Sequence, residues 1–238
     1  MTTIAQNTDN TFARTEYRPA SLQSMGGIAG ITAALTFLFG FALFVTTFEP
    51  LIADDLSTVE TVEFLKDNQT IFYVWNLVIY VLFGVAQAVL TLALADRLKS
   101  VAPGIAQITA ALGLIWSGLV IASGMVANVG ASAVIDLYAT DPTQAGTVWT
   151  TIASVYTGMG GGNEIVGGLW VLLVSMAGLR GTAQQVALPK ALNYAGMLVG
   201  AAGIITLVPP LTDVGAIFGL GIIAWYIWAG VVLVRSNS

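Results

Sequence analysis

Apolar residues in this chain come in runs long enough to cross a bilayer, separated by short polar stretches, and that alternation predicts the architecture. A helix needs about 20 apolar residues to traverse a hydrocarbon core of about 30 Å at roughly 1.5 Å per residue. Runs of that kind cover 25–48, 71–95, 104–129, 158–179, 191–208 and 214–234. The expectation is an all-α polytopic membrane helix bundle of six transmembrane helices occupying 25–235. It is preceded by a polar, flexible cytoplasmic tail over 1–24 that lacks the apolar core of a secretory signal. Pro103, Pro189 and Pro209-Pro210 punctuate the short connections, as helix starts and stops require.

Basic residues near span ends are retained on the cytoplasmic side. With six spans, Arg14, Arg18, Arg97, Lys99, Arg180, Lys190 and Arg235 all fall on one face, which predicts that both termini are cytoplasmic. Lys66 lies opposite, in an outer loop over 49–70 that also carries Glu49, Asp54, Asp55, Glu60, Glu63 and Asp67. The VETVEFLKDNQ portion of that loop has the pattern of a short amphipathic helix lying on the outer surface.

Composition agrees with this reading and narrows the chemistry. Of the 238 residues 56% are hydrophobic and 9% charged, with a mean hydropathy of +0.84, which excludes an ordinary soluble globular domain. The net charge of −5 reflects acidic loops and offers no basic patch for nucleic acid. There is no cysteine and no histidine, so disulfides, thiolate nucleophiles, His- or Cys-ligated metals, axial-His haem and Ser-His hydrolysis are removed. No metal site and no cofactor are expected. A retinal-type Schiff base lacks a lysine within a span. The expected partners are the lipid bilayer and either a membrane-protein partner or a second copy of the chain. The expected location is the cell (cytoplasmic) membrane.

Polar residues inside the spans are the candidates for function, because they are costly in lipid. In span two, Asn76 and Gln87 return to within about 20° of each other on a regular helix. Tyr73, Tyr80 and Thr91 fall on the same side, so this stripe should face the bundle interior. Span three carries a stripe of small residues, Ala110, Gly113, Ser117, Gly124 and Asn128, and span five repeats it with Asn193, Gly196, Gly200 and Gly203. Spans one and six contain Gly26-x-x-x-Gly30 and Gly215-x-x-x-Gly219. Such spacing lets backbones approach closely. Trp225 and Trp228 lie deep in the last span, where they either fill the bundle or face lipid, or else line an aromatic pocket.

The stretch GMGGGNEIVGG, 158–168, places Glu164 in apolar surroundings. On a continuous helix it would lie about 24 Å above the cytoplasmic edge, in the outer third of the membrane. Two forms are open. A helix starting at Pro142 could run unbroken through the glycines, with neighbours packed on Gly158, Gly162 and Gly167; this form is preferred, since glycine is tolerated in membrane helices. Otherwise the chain breaks at Gly160 to Gly162, Asn163 caps a new helix, and Glu164 sits in its first turn. Without a cation nearby, burial favours the neutral carboxyl, which could bind a cation, carry a proton or hydrogen-bond a ligand. Asn163 and Asn76 are its candidate helpers, and Gln87 and Tyr80 are further ligand- or ion-binding candidates on the span-two stripe.

The block GGNEIVGGLWVLLVSMAGLR, with LPKALNYAGMLVGAAGIITLVPPL and FGLGIIAWYIWAGVVLVR after it, resembles the bacterial domain-of-unknown-function family numbered 4386, a group of small multi-span membrane proteins. The resemblance implies a helical integral membrane protein and carries no activity or site residue. Three function classes stay open. The first is a non-enzymatic binding, sensing or accessory membrane component. The second is a small proton- or cation-linked transporter using Glu164 and the polar face of span two. The third is an intramembrane enzyme, for which no nucleophile-and-base arrangement is visible.

Overall fold

The computed structural model describes residues 21–53, 56–161, 165–181 and 187–235, and among these the chain is helical with no strand. Helix α1, Leu22–Thr46, starts where the Ser21 hydroxyl accepts the Ser24 N–H. A short turn, α2 (Glu49–Ile52), leads to α3, Thr58–Asp67. Next come α4 (Gln69–Asn76), a π-helical segment Leu77–Leu82, and α5 (Phe83–Leu98), which together make one rod of 30 residues. Helix α6, Pro103–Tyr138, is followed by α7, Pro142–Tyr156, where Asp141 accepts the Gln144 N–H. A second π-helical turn, Thr157–Gly161, leads to α8, Ile165–Gly178. Helix α9 (Lys190–Ile205), a 3-10 turn over Pro209–Val214 and α10 (Gly215–Arg235) complete the chain.

Five helical rods are long and apolar enough to cross a membrane: α1, α4 to α5, α6, α7 to α8, and α10. Helix α9, expected as a span over 191–208, has 16 residues. At roughly 24 Å it falls short of a hydrocarbon core of about 30 Å. It runs antiparallel to α8 in backbone contact. A Cβ on Gly168 would stand 2.8 Å from the Gly200 carbonyl oxygen, and one on Gly200 would stand 2.7 Å from the Gly168 carbonyl oxygen.

Of the two forms open for the 142–178 segment, the preferred unbroken helix is not the one found. Gly160 has φ 151 and ψ 7, a left-handed conformation that only glycine adopts without strain, and it kinks the path there.

The described basic residues Arg97, Lys99, Lys190 and Arg235 lie toward one end of the bundle. Gln23 donates to the Ala93 carbonyl (3.0 Å) and to Asp96 (3.2 Å), and Arg97 donates through Nε to the Ala187 carbonyl. The start of α1, the end of α5 and the segment before α9 therefore gather at one end. Arg14, Arg18, Asp54 and Asp55 lie outside the described residues.

At the opposite end α6 outgrows its neighbours, since 36 residues extend about 54 Å. Helices α3 and α7 pack on the excess length, forming a second apolar cluster of Phe48, Val62, Leu65, Phe72, Ala131, Val134, Ala145 and Trp149. The amphipathic segment expected on the membrane surface does form as α3, closed by a reciprocal capping box between Ser57 and Glu60. Its apolar face turns to protein instead, with Val62 and Leu65 fully buried. Gly146 of α7 permits this, because a Cβ there would come within 2.8 Å of the Thr58 carbonyl group.

Candidate functional site

The bundle centre is polar at one point and aromatic around it. Gln87 is fully buried; its Nε2 donates to Thr91 Oγ1 (3.2 Å) and its Oε1 accepts the Tyr226 hydroxyl (2.7 Å). A carboxamide in apolar surroundings needs such partners, because leaving one end unpaired costs about 1–3 kcal/mol. Around this pair, Phe83, Trp116, Trp170, Trp225 and Tyr226 close a ring in which successive centroids lie 5.6, 5.8, 5.7, 5.9 and 6.1 Å apart. Four helices supply the ring: α5, α6, α8 and α10.

Glycines make room for the polar tips. The Cβ position of Gly113 is 2.3 Å from Thr91 Oγ1 and 2.5 Å from Trp170 Nε1; that of Gly196 is 2.1 Å from Ser175 Oγ and 2.6 Å from Trp225 Nε1. The two indole N–H groups and the Ser175 hydroxyl make no hydrogen bond to the described residues.

The sequence candidates separate in space. Gln87 belongs to this centre, whereas Asn76 donates to the Phe72 carbonyl (3.0 Å) on its own helix and lies beside Gly124 of α6. Tyr80 is also packed against Gly124, whose Cβ would stand 2.6 Å from the Tyr80 Cβ. The stripe does look into the bundle, Asn76, Tyr80, Gln87 and Thr91 all being buried, but Asn76 and Gln87 bond to different partners. The π-helical segment Leu77–Leu82 lies between them, and the extra residue of a π-turn rotates the downstream helix by about 100°. The two amides do not converge on one cavity.

Glu164, Asn163 and Gly162 lie outside the described residues. Gly113, Gly124, Gly196 and Gly200 all sit at helix contacts. Gly158, expected at such a contact, does not: a Cβ there would meet open space. Gly215 and Gly219 also differ from expectation. A Cβ on Gly219 meets nothing within 4 Å, and one on Gly215 meets only the Thr206 methyl at 3.5 Å.

The space beside Gly215 and Gly219 belongs to a cleft of about 540 Å³ between α1 and α10. At the basic end these helices touch backbone to backbone, a Gly27 Cβ being 2.7 Å from the Gly230 carbonyl oxygen. Toward the other end they part. Phe37 and Phe41 of α1 face Leu220 and Ile223 of α10 across the gap, and Phe83, Trp116 and Val120 form the floor. Phe37 meets Phe83 edge to face at 5.0 Å, which ties the cleft floor to the aromatic ring behind it. Trp75 donates its indole N–H to the Gly40 carbonyl (3.2 Å) and stands as the outer wall. No ionisable side chain lines the cleft among the described residues.

Sequence reasoning missed this cleft because the glycines of α10 read as packing glycines. The available signal was the spacing of Phe37, Gly40, Phe41 and Phe44, an aromatic face of α1 wider than any small-residue partner on α10 could cover. No protein-family model matches the chain, no curated protein matches it, and no solved structure matches it.

Proposed function

We propose that this chain is a non-enzymatic binding component of the cell membrane that takes a lipophilic molecule into the cleft between α1 and α10. The observation behind this reading is the splay itself. The two helices are in backbone contact at one end and leave about 540 Å³ open at the other. Well-packed interiors keep few voids larger than a water molecule, and this volume falls in the range of about 300–1,000 Å³ used for small-molecule sites. The described lining of rings and aliphatic groups offers dispersion and burial, with no acid, base or nucleophile among the described residues. Exposed Phe41, Ile217 and Leu220 carry the apolar surface outward from the lips, so a ligand dissolved in lipid would enter sideways.

The test is saturable binding of the fluorescent lipophile N-phenyl-1-naphthylamine to the purified full chain. Gly219→Leu puts a side chain into the cleft at a position where nothing stands within 4 Å, so it should weaken binding at least tenfold without harming the fold. Equal affinity in the two proteins would remove the cleft from consideration.

The same reading includes six crossings and both termini in the cytoplasm, with the short α9 crossing beside α8 as the fifth where the bilayer thins to match it. Since the native chain has no cysteine, single thiols report cleanly. Ser100→Cys, beside the basic end, should resist a membrane-impermeant maleimide in intact cells, and Thr143→Cys, at the start of α7, should react. The reverse pattern would invert the topology.

A further inference from the structure

Above the cleft, at the end of the molecule bearing α3, lies a second cavity of about 310 Å³. Its walls include the rings of Phe48, Phe72, Trp75, Tyr80, Trp149 and Tyr156. Most of these form one connected series, with centroids 4.6 Å apart for Trp75 and Phe48, 6.0 Å for Phe48 and Phe72, 5.9 Å for Phe72 and Trp149, and 6.0 Å for Trp149 and Tyr156. Phe44 and Trp75 line this chamber and the cleft alike, so the two cavities meet at one shared partition.

We infer that the chamber binds the headgroup of a single-chain quaternary ammonium amphiphile, whose alkyl tail lies in the cleft. The inference rests on the lipophile-binding reading of the cleft. Aromatic faces carry negative electrostatic potential, and several of them around one volume attract a methylated cation. The charge pattern agrees. The described lining holds no basic residue, and the described part of the 49–70 stretch carries four carboxylates, Glu49, Glu60, Glu63 and Asp67, against one lysine. That lysine, Lys66, is placed over the Tyr138 ring at 5.5 Å, outside the chamber.

A primary ammonium is the poorer fit, because its three N–H groups would need acceptors once desolvated. The described lining combines rings and aliphatic groups with hydroxyls such as those of Thr61 and Thr157, and holds no carboxylate to pair with an ammonium. A quaternary ammonium has no N–H to satisfy. A headgroup seated here would leave its chain at the Phe44 and Trp75 partition, where an apolar path continues between α1 and α10.

The experiment compares three probes with the same twelve-carbon chain, dodecyltrimethylammonium, dodecanol and dodecanoate, as competitors of N-phenyl-1-naphthylamine on the purified full chain in a neutral maltoside detergent. The cation should bind at least about tenfold more tightly than the alcohol or the carboxylate, the scale of a desolvated cation on aromatic faces. Trp149→Leu should abolish that preference, and Trp149→Phe, which keeps a ring, should retain it. If the three probes compete equally while Gly219→Leu still weakens all of them, the cleft stands and the headgroup assignment falls. If none competes and Gly219→Leu changes nothing, the cleft reading falls as well. The probe series on the native chain decides the matter even if Trp149→Leu fails to fold.

Discussion

Gly200→Ala offers the sharpest test of how this bundle is held together. The added methyl would sit 2.7 Å from the Gly168 carbonyl oxygen, 2.8 Å from the Leu172 Cβ and 2.9 Å from the Leu172 backbone nitrogen. Two of these three are backbone atoms, so no rotamer change relieves the contact and α8 must move away from α9. Restoring ordinary van der Waals distance needs a shift of roughly 0.7 Å, and a gap of that size forfeits about a quarter to a half of each dispersion contact along the crossing. Overpacking of this kind costs about 1–3 kcal/mol, against which alanine's better helix propensity returns up to about 1 kcal/mol.

The net expectation is a loss of about 1–2 kcal/mol, a factor of roughly 5–30 in the folded-to-unfolded ratio. Gly118→Ala is the matched control, since it lies inside α6 with nothing within 4 Å of its Cβ. It should be neutral or stabilising by up to about 1 kcal/mol. Both variants are read by reversible denaturant titration in mixed micelles. If Gly200→Ala proves no less stable than Gly118→Ala, backbone contact between α8 and α9 does not hold the bundle, and the account of the glycine faces is wrong.

Other perturbations address the centre, the kink and the outer helix. Tyr226→Phe should destabilise by about 1–3 kcal/mol because it removes the donor to the buried Gln87 Oε1, and Gln87→Leu by a similar amount because it removes the bonds to Thr91 and Tyr226. The double variant should cost less than the sum, and strict additivity in the same titration would show that the 2.7 Å bond contributes nothing specific. Gly160→Ala has room, its Cβ standing 3.5 Å from a Val120 methyl, yet it should lose about 1–3 kcal/mol through the left-handed backbone alone. A neutral effect would mean that the kink relaxes. For α3, the Ser57 hydroxyl and backbone N–H hold the exposed Glu60 carboxyl below its ordinary range. A depressed folded value means that its stabilisation is present above the usual carboxylate range and is lost as pH falls through the folded value. Amide exchange at 58–61 should therefore accelerate on acidification in the native chain and lose that dependence in Glu60→Gln; identical profiles would count against the capping box.

Helix content, the runs able to cross a membrane and the gathering of basic residues at one end are set by local order along the chain. Length, hydropathy and charge act on each segment without reference to any other. The α3 helix is legible for the same reason, since its caps and its amphipathic period lie within a dozen residues. What surrounds a helix is a different matter. The stripe from Asn76 to Gln87 presumes a regular helix, and a π-helical segment, whose extra residue leaves no mark in hydropathy, turns the two amides to different neighbours. Gly200 and Gly219 are alike in sequence, each a glycine four residues from another; one meets a backbone at 2.7 Å and the other borders an open cleft. That difference arises because α1 and α10 converge at one end and part at the other. Crossing geometry is set by all the packed helices together, so the cleft and the aromatic chamber above it come into being only when the bundle assembles.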